Sequence, residues 1–360
     1  MTRSEVLRRL TATAEGRRTL RRRPRSAPDG RAAAERDEDH SRSIASVVTL
    51  RVGMAVVQLL VVLIGVTFAT FVLIRLVPGN PALNILGQNA TPKSIAALQS
   101  QLHLNVSLLP QLWLYLRGIV HGTLGTSLFQ QIPVLTIIGR ALPVTASVVG
   151  LCLLMSLAVG VPIGMWAGVS GSRVANNLFR GVSIVFLATP PFLMGIFLIA
   201  LVAVRLGAAP AGGWNGTWPG NFRFVWLPAL ALSASYLMPL IARTVWQSAR
   251  ETWREPFIEA TICRGLKRRR LIWRHVLPNS MLPVITVIGV SLGALIGGAV
   301  VVEVVFNVPG IGTQLVNAVQ ERDYPVVQGV ALVTAVIAVL VNMTADVLYL
   351  VVDPRTRRAD

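Results

Sequence analysis

The sequence predicts an all-α polytopic membrane protein with six transmembrane helices, an expectation that rests on composition and on the placement of charge. Of the 360 residues, 53% are apolar and only 14% are charged, and the mean hydropathy is +0.61. Ordinary soluble proteins are far less apolar. The net charge of +18 could instead indicate nucleic-acid binding, but 13 of the 34 basic residues precede position 54 and most others fall in predicted cytoplasmic loops. Membrane topology explains the charge better, so we expect no nucleic-acid partner.

Residues 1–48 form a polar tail that the sequence predicts to be disordered and cytoplasmic. The tail holds 12 arginines together with seven acidic residues, a composition typical of segments that build no apolar core. An arginine-rich start could also be an organelle transit peptide, but such peptides are poor in acidic residues. Contact between the basic segments of the tail and anionic lipid stays open as an alternative.

The first predicted span lies within residues 49–75, and a small helical extracytoplasmic insert follows at 76–142. As a helix, the apolar part of that span would reach about 31 Å, enough to cross a bilayer. The 67 residues of the insert are too many for a simple connection. Apolar residues recur at helical spacing in three places, near 92–102, 110–120 and 132–142. Because the insert carries only three basic residues, against nine between Arg243 and Arg274, we place it outside the cell.

Residues 143–355 are predicted to form the other five spans and their loops, and 356–360 a short cytoplasmic end. The five spans are expected near 145–169, 182–204, 227–245, 282–302 and 326–351. Pro190 and Pro191 fall in the middle of the third span, where lost backbone donors and ring clashes should kink or break the helix. Six crossings with these loop charges place both termini in the cytoplasm.

Catalytic and metal-binding chemistry has little support in this sequence. A phosphate-binding P-loop needs Gly-Lys-Ser/Thr, but the only lysines are Lys93 and Lys267, in TPKS and GLKR. The four histidines and two cysteines show no metal-ligand or disulfide spacing. We therefore expect no catalytic residue, no metal site and no cofactor on this chain. Because no Asp or Glu occurs between positions 41 and 250, ion-coupled transport would have to rest on Glu303 and Asp346, and we disfavour it.

The most informative segment is the basic loop at 247–278, between the fourth and fifth predicted spans. Its order predicts a helix from Glu255 to Arg264, a turn at Gly265, a second short basic segment, and a stop at Leu277-Pro278. An amphipathic helix of this kind could lie on the membrane with its arginines on lipid phosphates, or in a groove on a partner protein. The residues alone do not decide between the two.

The spacing in this loop resembles the EAA motif of the inner-membrane subunits of ABC importers. Glu259-Ala260-Thr261 is followed by three residues, then Gly265, then nine residues, then His275-Val276-Leu277-Pro278. Thr261 and His275 depart from the family pattern, which has Ala and Ile at those places. The segments LVPGNPA, GTLGTSLFQQIPV, FNVPGIGTQL and VDPR are similar to recurring segments of one branch, the dipeptide/oligopeptide and nickel permeases.

The resemblance implies a type I ABC importer permease fold in a bacterial inner membrane, and a transporter subunit rather than an enzyme. The helix of the EAA loop would couple this chain to an ATP-binding subunit. The residues implied in that coupling are Glu255, Phe257, Ile258, Glu259, Ala260, Thr261, Arg264, Gly265, Leu266, Leu277 and Pro278. ATP and Mg would be bound by two ABC ATP-binding subunits. The other partners would be a second homologous permease, an extracytoplasmic solute-binding (lipo)protein and membrane lipid.

The translocation pathway is less sharply marked. The positions that could line it are Pro190, Pro191, Ser291, Gly293 and Asn342, although packing is the more frequent reason for glycine and proline in membrane helices. The lack of charge there is typical of a permissive conduit, so selectivity would lie with the binding protein. Its cargo could be a di- or oligopeptide, nickel or another small solute. We expect the insert and the NVPGIG loop to dock the binding protein.

Overall fold

The protein is described here from a computed structural model. The structure describes residues 53–54, 57–72, 91–93, 96, 108–216 and 219–352. The chain divides into two units, Met1–Val56 and Val57–Asp360, and the features below belong to the second. The predicted tail at 1–48, most of the first half of the insert and the predicted end at 356–360 lie outside the described residues.

The described residues form helices joined by turns, with one isolated antiparallel bridge between Thr126 and Pro133. In chain order the helices are α1 (Val57–Val72), α2 (Leu108–Val120), α3 (Val134–Val169), α4 (Arg173–Ala188), α5 (Pro191–Leu198), α6 (Phe222–Leu232), α7 (Met238–Thr252), α8 (Pro256–Cys263), α9 (Arg268–Leu271), α10 (Leu277–Val305), α11 (Ile311–Glu321) and α12 (Tyr324–Val352). Three π-helical turns extend α5, join α6 to α7 and join α9 to α10: Ile199–Arg205, Ser233–Leu237 and Ile272–Val276.

Four helical stretches are long and apolar enough to cross a membrane: Val134–Val169, Phe222–Thr252, Arg268–Val305 and Tyr324–Ala345. The bent pair of α4 and α5 makes a fifth crossing if it counts as one span, and α1 is apolar but shorter. The described part of the chain is therefore that of a multi-pass membrane protein. Within the described residues, at most five of the six crossings predicted from the sequence meet these length and composition criteria.

The third predicted helix of the insert and the second predicted span are one continuous helix, α3, of 36 residues. The boundary expected at residue 142 thus falls inside a helix. The first turns of α3 bury Val134, Ile137 and Ile138 in a cluster with side chains of α11 and α12. This burial helps to carry the helix through Pro143, where a proline would otherwise weaken it.

The break predicted at Pro190 and Pro191 is confirmed. Helix α4 ends at Ala188, α5 begins with Pro191, and the two axes are bent by 99°. Proline at the first helical position costs no hydrogen bond, because that N–H has no partner within the helix. The bend brings α5 against the end of α10, where a Cβ on Gly195 would lie 3.1 Å from the ring of Phe306.

The stop predicted at Leu277-Pro278 is wrong, because the chain is helical without interruption from α9 through α10. A π-helical turn precedes the proline, and in it the N–H of Leu277 donates to the carbonyl oxygen of Ile272, five residues back. Helix α7 has the same widened turn, Ser233–Leu237, before Pro239. The extra residue relieves the clash between the proline ring and the preceding turn, so the helix continues.

Helices α3 and α7 cross at close range along a stripe of glycines at four-residue spacing. A Cβ added to Gly160 would lie 2.9 Å from a carbonyl oxygen of α7, and one on Gly168 would lie 2.8 Å from another. A Cβ on Gly164 would collide with the carbonyl oxygen of Ala242. Small residues at this spacing let two membrane helices approach each other closely.

The bundle has two polar ends, which we name after the helix that each carries. The α8 end comprises α8, α9, the turn between α3 and α4, and the last turns of α7. The α11 end comprises α11, the start of α3, and the segment at 121–133 that precedes it.

Candidate functional site

The EAA segment at the α8 end has the predicted order of helix, turn and helix. Glu255 is extended (φ −70°, ψ 140°) and precedes Pro256, the first residue of α8. Proline is favoured at that position because its φ is already helical. Gly265 has a φ of +79°, a left-handed conformation that a side chain would strain. A reversal there separates α8 from the basic helix α9.

Helix α8 attaches to the bundle through one side chain and exposes the others. Ile258 is 1% exposed and belongs to the main apolar cluster, whereas Phe257 is 41% exposed and Ile262 50%. The amphipathic pattern predicts a single apolar face, turned to lipid or to a partner, and the structure divides that face. Glu259 and Ala260, the first two residues of the EAA pattern, are exposed.

The other predicted coupling residues continue this surface. Arg264 and Gly265 are exposed, Thr261 and Leu266 are half-buried, and the Thr261 hydroxyl donates to the Phe257 carbonyl oxygen at 2.6 Å. This bond gives the hydroxyl of the half-buried Thr261 a hydrogen-bond partner within its own helix. The remaining pair lies at the start of α10, where Leu277 is half-buried and Pro278 exposed.

Helix α9 is attached to two membrane-spanning helices, α10 and α3. It continues through the π-helical turn into α10, and Leu271 and Val276 are buried in the main apolar cluster. Arg268 donates from Nη2 to the carbonyl oxygen of Val169, the last residue of α3, at 2.9 Å. Its guanidinium also lies 5.4 Å from the ring centroid of Trp253. A displacement of the α8–α9 segment would therefore pass to both α3 and α10.

The predicted pathway residues are only partly brought together. Gly293 of α10 faces Asn342 of α12, because a Cβ on the glycine would lie 3.8 Å from the asparagine Oδ1. Ser291 is buried, whereas Asn342 is exposed on its helix. Pro190 and Pro191 lie at the bend between α4 and α5. One close pair in α10 and α12 thus emerges from the five candidates.

At the α11 end, a cavity of ≈ 570 Å³ is open between segments that are distant in sequence. It takes in Gln130 from the segment before α3, Trp214 from the loop after α5, and Pro309 and Gln314 around the start of α11. Asn221 lies at its wall and is fully buried; its Oδ1 accepts the N–H of Asn215 at 3.0 Å, and its Nδ2 has no hydrogen-bond partner among the described residues.

Two buried carboxylates organise the α11 end, and sequence reasoning missed both roles. Glu303 accepts the N–H of Gly312 at 2.8 Å, at the start of α11, where a helix favours a negative charge. Asp323 accepts hydrogen bonds from the Ser127 hydroxyl and from the backbone N–H groups of Leu128 and Phe129, the latter two at 3.1 and 3.3 Å. The available signal was the rarity of acidic residues after position 40, which makes each of them a candidate for a specific partner.

The carboxyl of Glu321 is close to this group. Partial burial, and after it the negative charge of Asp323, raise the pKa of Glu321 above its usual range. Burial alone raises the pKa of the Tyr115 hydroxyl in α2 to about 12. Across the described residues, no three His, Cys, Asp or Glu side chains lie close enough together to hold a metal ion.

Two family models match this chain. The model described as "Binding-protein-dependent transport system inner membrane component" matches residues 160–358. Its N-terminal companion, "Binding-prot-dependent transport system membrane comp, N-term", matches residues 47–149. Together they match most of the chain from residue 47 onward, with a gap at 150–159 inside α3.

Relatives with known names cover most of the chain. It is 34% identical to the dipeptide transport system permease protein DppB of Escherichia coli strain K12 over 322 residues, which are 82% of this chain and 94% of that protein. It is 33% identical to DppB of Alkalihalophilus pseudofirmus over 323 residues, 83% of this chain and 96% of that protein. It is 32% identical to the nickel import system permease protein NikB of Staphylococcus aureus strain RF122 over 303 residues, 83% and 89% of the two.

Among solved structures, an inward-facing form of the MetNI methionine ABC transporter aligns with 60% of this chain at a TM-score of 0.49 and 20% identity, and with 96% of its own chain. The family assignment comes from the sequence matches, which span both halves of the protein. This chain therefore belongs to the inner-membrane components of binding-protein-dependent transport systems, as a permease of the dipeptide/nickel family of ABC importers.

Proposed function

We propose that this chain forms half of the translocation pathway of an ATP-driven importer of di- or oligopeptides and receives the work of ATP through α8. The observation that carries the proposal is the geometry of that helix. Ile258 anchors it in the bundle while Glu259 and Ala260 lie exposed, and α9 beyond it runs directly into the α10 span. A partner that grips the exposed face can thus move a membrane helix.

The proposed mechanism follows from these attachments. Two ABC ATP-binding subunits, which hold ATP and Mg, would close on nucleotide and displace α8. The displacement passes to α10 through the continuous helix and to α3 through the hydrogen bond from Arg268 to Val169. At the contacts of α3 with α7, and of Gly293 with Asn342, one of the two helices presents glycine, and we expect the helices to shift against each other there.

The coupling role is tested with Glu259→Ala in the fully assembled complex, with substrate-stimulated ATP hydrolysis as the measurement. Loss of a charge-assisted contact of about 1.5 to 3 kcal/mol should weaken coupling by roughly tenfold or more. Glu251→Ala is the matched control, because Glu251 is exposed on α7 and its carboxylate accepts a hydrogen bond from Gln247 of the same helix. Full stimulation in Glu259→Ala would refute the role of α8.

A peptide is the cargo that we favour, because the DppB relatives are dipeptide permeases by name and match at 33% and 34% identity. Nickel is the second candidate, because the NikB relative matches nearly as well at 32%. Uptake of a labelled dipeptide and of nickel, measured side by side in proteoliposomes with the cognate binding protein, separates them. Saturable nickel uptake without peptide uptake would reverse our choice.

The cavity at the α11 end is where we place the solute-binding protein. Residues of the insert, the Trp214 loop and the NVPGIG loop line this cavity together. This arrangement supports docking by a partner that contacts all three segments. Gln314→Arg should reduce capture of the binding protein, since a bulky charge would project at the cavity. Unchanged capture by this variant would count against the location. In the same assembly a second homologous permease would supply the other half of the pathway, with both termini in the cytoplasm.

A further inference from the structure

A second cavity, at the α8 end, is lined by four arginines and by no carboxylate among the residues that the structure describes. Its volume is ≈ 410 Å³, and Arg173, Arg180, Arg250 and Arg254 all line it. The sequence explains this imbalance, because α3, α4 and the preceding segments contain no Asp or Glu from position 41 to position 250. Four cations around one cavity repel one another unless an anion lies between them.

Two of the four guanidinium groups are held in place by one tryptophan. The guanidinium carbons of Arg180 and Arg250 lie 4.9 and 5.7 Å from the centroid of Trp246. The indole itself is fixed, because its Nε1–H donates to Oδ1 of Asn176 at 2.7 Å and its ring packs 5.8 Å from that of Phe179. Stacking on an aromatic face leaves the N–H edges of arginine available to bind an anion.

The start of α4 adds to the positive potential. Ser170, Gly171 and Arg173 line the cavity, and the Ser172 hydroxyl caps α4 by accepting the N–H of Ala175 at 3.3 Å. The beginning of a helix of 16 residues carries a partial positive charge that favours phosphate groups. The arginines and the helix dipole therefore both favour a negatively charged ligand.

The surroundings of the cavity resemble the level at which lipid headgroups meet acyl chains. Large apolar side chains within two residues of the lining residues are exposed: Trp166 by 59%, Val174 by 77% and Leu178 by 63%. Tryptophan is enriched at this depth of a membrane, and arginine beside it pairs with lipid phosphate. A soluble anion would gain nothing from these apolar neighbours.

We propose that this cavity, lined by four arginines of which two stack on Trp246, binds the phosphate group of an anionic phospholipid. The phosphate lies among the guanidinium groups while the acyl chains lie along Val174 and Leu178. The site is separate from the exposed face of α8 proposed for coupling, and it requires only that α3 and α7 cross the membrane.

The test measures phospholipid that stays with the purified complex, by native mass spectrometry after exchange into nanodiscs containing equal phosphatidylglycerol and phosphatidylcholine. Each arginine near a lipid surface is worth roughly fivefold in binding. Arg180→Gln/Arg250→Gln should therefore lower retained phosphatidylglycerol by roughly 25-fold with phosphatidylcholine unchanged. Arg243→Gln, an exposed residue of the same helix that does not line the cavity, should retain it as the wild type does.

A second variant is needed because Arg180 and Arg250 pack on Trp246, so that replacing them could also disturb the fold. Arg173→Gln/Arg254→Gln changes two exposed side chains of the cavity, and it should give the same direction of effect in a complex of normal stability. Equal retention of phosphatidylglycerol by all variants would overturn the proposal. Binding of added pyrophosphate with no lipid retained would assign the site to a soluble phosphate. Loss of the ATP-binding subunits with lipid retention unchanged would show a protein contact instead.

Discussion

At the scale of single residues, the closeness of α3 and α7 depends on three glycines that have no room for a methyl group. Gly160, Gly164 and Gly168 all face the backbone of α7, which cannot move aside as the end of a flexible side chain can. Other glycines of α3 face open space, Gly150 among them. The same substitution in one helix should thus have opposite effects at two places.

We expect Gly164→Ala to lower the free energy of unfolding by about 1 to 3 kcal/mol, because the added methyl forces the two helices apart. Gly150→Ala should be neutral, or stabilise the helix by up to about 1 kcal/mol, because alanine is the better helix former. Thermal unfolding of the two purified variants in the same detergent measures the difference. Equal midpoints would show that the α3–α7 contact is not as tight as the structure has it.

Asp323 is a second residue on which local structure depends. Replacement by Ala leaves the Ser127 hydroxyl and two backbone N–H groups without their acceptor, which costs about 1 to 3 kcal/mol. Ser127→Ala removes a single donor and should cost about 1 kcal/mol or less. We expect proteolysis within 121–133 to be faster in Asp323→Ala than in Ser127→Ala. The reverse order would contradict the role of the carboxylate.

At the scale of elements, two neighbouring residues cause the break between α4 and α5. Pro190 and Pro191 remove consecutive N–H donors, so α4 cannot continue in the same direction. Packing of α5 on the end of α10, through Gly195 and Phe306, then sets where the second arm goes. Backbone chemistry thus decides that the helix breaks, and tertiary contact decides the angle.

We expect Pro190→Ala/Pro191→Ala to populate a straighter arrangement of these helices. Spin labels at the exposed positions Val174 and Val204 would lie about 27 Å apart in the bent pair and about 45 Å apart in a straight helix, at 1.5 Å per residue. Pulsed electron–electron double resonance should therefore show, in the variant, an additional and longer distance between the two spin labels. If only the short distance is seen, contact with α10 rather than the prolines holds the bend.

At the scale of the whole molecule, the two cysteines report on assembly and sidedness. Cys263 is exposed at the end of α8, and Cys152 is buried inside the bundle. If the ATP-binding subunits lie on α8, a membrane-impermeant maleimide should label Cys263 readily in the isolated permease and much more slowly in the assembled complex. Cys152 should stay unlabelled in both.

The same reagent checks the proposed topology. Labelling of Cys263 in inside-out vesicles stripped of the ATP-binding subunits, and not in right-side-out vesicles, is the outcome that we expect. Cys263→Ser is the control, since any signal left in it must come from elsewhere. Labelling from the outside would place α8, and with it the coupling surface, on the wrong side of the membrane.

Several features of the fold were predictable because their causes are local. Proline in a first turn and glycine in a left-handed turn produced the order of α8, Gly265 and α9, and paired prolines produced the α4–α5 break. The sequence does not predict helix α11, because NVPGIGT carries turn residues and the start of the helix is stabilised by Glu303 of α10. The continuation through Pro278 was missed because a π-helical turn has no clear sequence signature.

The sequence by itself determined the membrane class, the EAA segment and the family, because composition, apolar run length and motif spacing act within a short stretch of chain. Tertiary structure decided which face of α8 is free, how closely α3 approaches α7, and that Asp323 binds a segment 196 residues away from it. It also gathered four arginines from three places around one cavity. These features depend on contacts between distant segments, and such contacts exist only once the helices have packed.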